Sequence, residues 1–95
     1  MTSTTHNVYF EGGVQSLGFQ PDGPRATVGV IQPGEYHFDT AAPERMTVVA
    51  GTLEVLVSGE TDWVAHATGT EFTVPGDSGF EVRTAAPAAY LCEFL

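Results

Sequence analysis

The sequence predicts an all-β domain, and three observations carry that prediction. Glycine and proline punctuate the chain densely, at Gly12-Gly13, Pro21 to Pro24, Pro33-Gly34, Pro43, Gly51, Gly59, Gly69, Pro75-Gly76, Gly79 and Pro87. Between them lie runs of about five to eight residues rich in Val, Thr, Phe and Tyr, the pattern of short strands joined by tight turns. No window keeps helical spacing through three turns without a Gly or Pro inside it.

Each strand is bounded by its own turn signal. Val14–Phe19 follows Gly12-Gly13, and Arg25–Ile31 follows the turn Pro21-Asp22-Gly23-Pro24. Glu35–Asp39 starts after Pro33-Gly34, Arg45–Val49 after Pro43, Thr52–Val57 after Gly51 and Trp63–Ala67 after Gly59. Glu71–Val74 lies between Gly69 and Pro75-Gly76, Phe80–Thr84 follows Gly79, and Ala89–Phe94 follows Pro87. Short strands at this density predict a sandwich or small barrel. Val28–Ile31 and Met46–Ala50 are near-continuous apolar runs, which predicts strands covered on both faces, by the core and by a partner sheet or a second subunit.

Composition narrows the function classes. The chain has 95 residues, the size of one domain. Residues 1–7 are polar and read as a frayed tail without the basic and apolar regions of a secretory signal, leaving 8–95 as the domain. No apolar run approaches the roughly 20 residues that span a bilayer. Three arginines, no lysine and twelve carboxylates give a formal charge of −9, which disfavours nucleic acid and anionic membranes as partners. The single cysteine, Cys92, excludes an internal disulfide, and a cytoplasmic location is expected. A domain this small gains from pairing with a second copy, so a homodimer is expected.

Two spaced motifs resemble the signature halves of a cupin: Glu44, six residues and Gly51, then Gly69, five residues and Pro75-Gly76. The resemblance implies a single cupin-type double-stranded β-helix barrel, jelly-roll-like. Around these motifs stand Val14-Gln15-Ser16-Leu17-Gly18-Phe19, VGVIQPGEY, YHFDTAAPERMTVVAG from Tyr36 to Gly51, FTVPGDSGFEV and AYLCEFL. Together they resemble the pyrimidine/purine nucleoside phosphorylase family across Tyr9 to Leu95. That resemblance implies phosphorolysis of purine and pyrimidine nucleosides to free base and ribose 1-phosphate, with broad base tolerance. Inorganic phosphate would be the co-substrate, with no other cofactor. Composition and spacing leave the activity open.

Candidate site residues follow from type and position. In cupins the metal is held by His-x-His, a Glu and a later His. Here Glu44 stands at the Glu position, counting back reaches His37 and Asp39, and counting forward from Pro75 reaches Phe80, which cannot ligate. His37, Asp39 and Glu44 are the ligand set of an alternative, metal-dependent cupin; the bland alternative is a polar mouth in which His37 pairs with Asp39 or Glu44. A non-catalytic cupin that binds a sugar or base is a third reading.

For phosphorolysis, positive charge builds on the sugar, and Glu44 is the candidate to stabilise it or to hold the ribose hydroxyls. His37 is the candidate proton donor to the leaving base. Arg25 suits a phosphate through its two-pronged guanidinium, with the Thr27 hydroxyl on the same side; a surface pair with Asp22 is the alternative. Arg45 and Arg83 have carboxylates nearby and read as surface charges. Phe80, Tyr36, Phe38, Phe72 and Tyr90 are candidate base-stacking or core aromatics, Phe80 foremost, and Met46 shares the interior with Glu44 by strand alternation. Trp63 reads as an edge or contact residue and Cys92 as packing. No phosphate-cradling Gly-rich loop with Lys and no Gly-x-Ser-x-Gly elbow occurs.

Overall fold

The computed structural model describes residues 4–95. Ten strands run in order: β1 Thr5–Tyr9, β2 Val14–Phe19, β3 Ala26–Ile31, β4 Gly34–Thr40, β5 Glu44–Ala50, β6 Thr52–Val57, β7 Val64–Ala67, β8 Glu71–Val74, β9 Ser78–Thr84 and β10 Ala88–Phe94. A six-stranded sheet has the order β1-β2-β3-β10-β5-β8, and a four-stranded sheet the order β4-β9-β6-β7. All pairings are antiparallel, so each strand offers one face to the interior and one to the outside. This is the all-β cupin architecture that the sequence predicts.

The nine expected strands all form, with ends shifted by a residue or two. The tail assigned to residues 1–7 is corrected in its second half. Residues 1–3 lie outside the described residues, but Thr5 to Asn7 belong to β1 and pair with Gly18 to Ser16. A polar stretch joins the sheet here because an edge strand needs backbone partners more than apolar side chains.

The register lines up interior residues in transverse rows. One row runs Thr5, Gly18, Thr27, Cys92, Met46 and Phe72; the next runs Asn7, Ser16, Gly29, Tyr90 and Val48. A third holds Tyr9, Val14, Ile31 and Ala88. Opposite them, the four-stranded sheet contributes Phe38, Phe80, Val82, Leu53 and Val55. Val14, Ile31, Val48, Leu53, Val74 and Val82 are fully buried, and burial of each such side chain is worth about 1.5–3 kcal/mol. Leu17, Val28, Val30 and Val49 on the outer face of the six-stranded sheet stay exposed, so within one chain the apolar strands β3 and β5 are covered on the interior side only.

Candidate active site

Between the two sheets lies a cavity of about 330 Å³, bordered by Thr27, His37, Phe38, Asp39, Glu44, Met46, Phe80 and Tyr90 among the sequence candidates, and by Tyr9, Phe10, Ser16, Ile31, Cys92 and Phe94 besides. Its size falls at the lower end of small-molecule sites. The two walls differ in chemistry. The six-stranded sheet supplies hydroxyls, a thiol and a carboxylate beside apolar Ile31, Met46 and Phe94; the four-stranded sheet supplies the Phe38 and Phe80 rings, with His37 and Asp39 at the edge.

On the polar wall, Glu44 opens β5 and pairs across the sheet with Phe94 and Val74. It is half-buried, and desolvation pushes its carboxyl above the ordinary glutamate range, partly offset by a hydrogen bond from Cys92. The Cys92 thiol donates to Glu44 Oε1 at 3.3 Å. Burial and then the neighbouring Glu44 charge push that thiol well above the usual cysteine range, so it remains a protonated donor rather than a nucleophile. Cys92 also lies beside Thr27 in its row. The packing role expected of Cys92 therefore has a polar component, which sequence alone missed because it depends on β10 lying between β3 and β5.

Tyr90 crosses the floor above Gly29. A Cβ on Gly29 would lie 2.4 Å from the Tyr90 ring, so the absence of a side chain there is what lets the ring lie flat. Burial pushes the Tyr90 hydroxyl up to about 12, partly offset by the neighbouring Ser16 side chain. Asn7 Nδ2 donates to Ser16 Oγ at 3.3 Å, so polar groups of Asn7, Ser16 and Tyr90 share one transverse row.

On the aromatic wall, Phe38 and Phe80 are cross-strand partners whose rings stack at 5.5 Å and 28°. Phe80 is 2% exposed and points inward, as expected. Phe72 meets Phe80 edge-on at 6.4 Å but belongs to the core beyond the cavity.

Four candidates sit differently from what the sequence implies. His37 and Asp39 border the cavity only at its edge: strand alternation turns them to the outer face, where His37 lies over Gly79 and bonds Asp39 Oδ1 at 2.9 Å. The side chains of β4 that face inward belong to Tyr36, Phe38 and Thr40; His37 and Asp39 alternate with them, and one residue reverses a strand's faces. Thr40 in turn donates to the Pro75 carbonyl at 2.7 Å and ties down the β8–β9 turn. Consequently His37, Asp39 and Glu44 do not converge, and among the described residues no group of three His, Cys, Asp or Glu side chains is placed to hold a metal. The pairing of His37 with Asp39 instead matches the bland alternative.

Tyr36 does not line the cavity. Its hydroxyl donates to the Gln32 and Pro33 carbonyls at 3.0 and 3.3 Å, which clasps the turn before β4. Arg25 does not line it either. Its carbonyl accepts from Phe94 N–H at 2.9 Å, which puts it on the interior face in the row of Phe94 and Glu44, beyond Thr27. The guanidinium leans the other way, over Gly18, with Nη2 3.5 Å from Thr5 Oγ1. Among the described residues no carboxylate pairs with Arg25, whereas Arg45 is held by Glu93 at 2.9 Å and Arg83 by Glu54, with its guanidinium over Trp63 at 4.1 Å.

By its fold the protein is a cupin-type barrel with a two-walled cavity between its sheets. An RmlC-like cupin from Shewanella frigidimarina, 19% identical, shares the fold with a TM-score of 0.75 over 96% of this chain and 82% of that one. The family model described as pyrimidine/purine nucleoside phosphorylase matches residues 4–94, and the chain belongs to that family. A relative from Sorangium cellulosum bearing the same name is 62% identical over 90 residues, covering 95% of this chain and 97% of its own. The crystal structure of a protein of unknown function from Vibrio parahaemolyticus, 52% identical, superposes with a TM-score of 0.96 over 99% of this chain and all of that one.

Proposed function

We propose that this chain is a pentosyltransferase that splits purine and pyrimidine nucleosides with inorganic phosphate, giving free base and ribose 1-phosphate. The observation that carries this reading is the arrangement of the cavity: the half-buried Glu44 carboxylate, among hydroxyls, faces the stacked Phe38 and Phe80 in a chain of this family. In the reaction, a phosphate oxygen bonds C1′ as the bond from C1′ to the base nitrogen breaks. The bonding electrons leave with the base, which takes up a proton at the open mouth.

Glu44 acts ionised, stabilising the positive charge that grows on the sugar in a partly desolvated setting where such stabilisation is strong. The Cys92 S–H fixes its orientation. Ser16, Thr27 and Tyr90 offer hydroxyls to the ribose, and the base lies against Phe38 and Phe80, which read no base identity and so suit a broad substrate range. Phosphate enters at the Arg25 end, the unpaired guanidinium turning from Gly18 toward Thr27. His37, on the other sheet from Glu44 and turned to its outer face, has no part in the chemistry.

Incubation with uridine, inosine or adenosine, with and without phosphate, tests the reading by chromatography of free base. Release that requires phosphate is the expected result. Release without phosphate makes the protein a hydrolase, and no release favours a binding protein. Arg25→Ala should raise KM for phosphate at least about tenfold, the loss of one charge-assisted contact; an unchanged KM removes Arg25 from the site. Two copies are expected to pair through the exposed face carrying Leu17, Val28, Val30 and Val49. Sedimentation of Val28→Glu against the parent decides it: loss of a dimer is expected, and a parent that sediments as a monomer ends the idea.

A further inference from the structure

The turn between β1 and β2 spends backbone strain to hold one aromatic ring at the cavity. Phe10, Glu11 and Gly12 lie in the left-handed region, with φ of 52°, 56° and 94°. Glycine adopts that conformation freely; a bulky aromatic residue does so only where its surroundings enforce it. The enforcement is visible at Gly13, whose N–H donates to the Phe10 carbonyl at 3.0 Å and whose own carbonyl accepts from Gln32 N–H at 2.8 Å. The Tyr36 hydroxyl closes over Gly13 where a Cβ would come within 2.8 Å of it.

The strained geometry carries Phe10 out of the six-stranded sheet and across to β4 of the other sheet. Its ring lies 5.0 Å from Tyr36 and 5.7 Å from Phe38, edge-on to the latter at 86°. Yet Phe10 remains 48% exposed while bordering the cavity. Strain that served packing alone would bury the ring; this one is held in place with a face left open beside the Phe38–Phe80 stack.

We propose that Phe10 is a further substrate-binding residue, a preorganised platform against which the flat heterocycle of the substrate stacks as it enters between Phe10 and the Phe38–Phe80 pair. The identity of that heterocycle as a nucleobase rests on the phosphorylase reading; the platform itself does not. Stacking on an aromatic face is nearly blind to which base is present, and a base–aromatic contact of this kind is commonly worth about tenfold or more in affinity.

The test uses Phe10→Asn, because asparagine tolerates the left-handed backbone and removes only the ring. The thermal midpoint should hold or rise, while KM for inosine and uridine rises about tenfold and KM for phosphate stays within twofold. Calorimetric titration of inosine without phosphate reads the same loss independently of turnover. Unchanged inosine binding overturns the proposal, and a lower midpoint with unchanged binding shows the ring to be a structural plug. Parent protein that binds inosine but releases no base leaves the platform standing and removes the phosphorylase reading; parent protein that binds no nucleoside removes the platform.

Discussion

The two walls of the cavity are built from the same kind of strand yet differ in chemistry. The six-stranded sheet presents Ser16, Thr27, Glu44, Tyr90 and Cys92 beside apolar Met46 and Phe94, whereas the four-stranded sheet presents Phe38 and Phe80, with His37 and Asp39 at the edge. Charge and hydroxyls on one side and aromatic faces on the other match a substrate that is itself divided, polar sugar on one end and flat ring on the other. A metal-binding cupin needs ligands that converge from both sheets; here the inward positions of β4 are held by a phenylalanine and by a threonine already bonded to Pro75.

The sharpest way to break this contrast is to neutralise the polar wall. Glu44→Gln should lower kcat/KM about 100-fold or more, the scale of losing one charge-stabilising group, with the fold intact. Retention of activity within tenfold of the parent would mean the carboxylate has no electrostatic role. Burial raises the Glu44 pKa, so the ionised form is lost on acidification at a higher pH than for an ordinary glutamate. The acid limb of kcat/KM should accordingly lie above the usual carboxylate range and be absent from the residual activity of the glutamine variant. The same shift has a stability sign: the folded state holds the proton more tightly than the unfolded chain, so stability falls as pH rises through that interval. Glu44→Gln should flatten this slope in pH-dependent thermal melts.

Breaking the aromatic wall should cost the fold rather than the chemistry. Phe80→Ala opens a buried site and should destabilise by about 3–5 kcal/mol in denaturant titration. A loss below about 1 kcal/mol would mean the ring is not close-packed with Phe38. The smallest expected effect comes from outside both walls. His37→Asn should leave kcat/KM within about twofold, since the exposed pair with Asp39 contributes little. A loss of tenfold or more would place His37 on the reaction path and contradict its outward orientation.

Strand positions were legible because turn residues and apolar runs are local signals. The β1 strand was not, since Thr5, His6 and Asn7 gain their place only through backbone pairing with β2. Glu44 and Phe80 were legible from motif spacing, and Met46 from its alternation with Glu44. His37 lies one residue from the inward-facing Phe38, and strand geometry turns that single residue into the opposite face. The contact between Cys92 and Glu44 spans 48 residues of chain and depends on which strands flank β10, information that no window contains. Phe10 carried a faint signal, an aromatic pair one residue before Gly12-Gly13, that reads as loop until the positive φ is seen.

One further consequence follows from the sheet order. β10 follows the other nine strands in the chain yet sits between β3 and β5 in the middle of the larger sheet. Without residues 88–94 that sheet would be two half-sheets with bare edges, which only β10 can join. A chain caught before β10 docks leaves the most backbone open to wrong pairing.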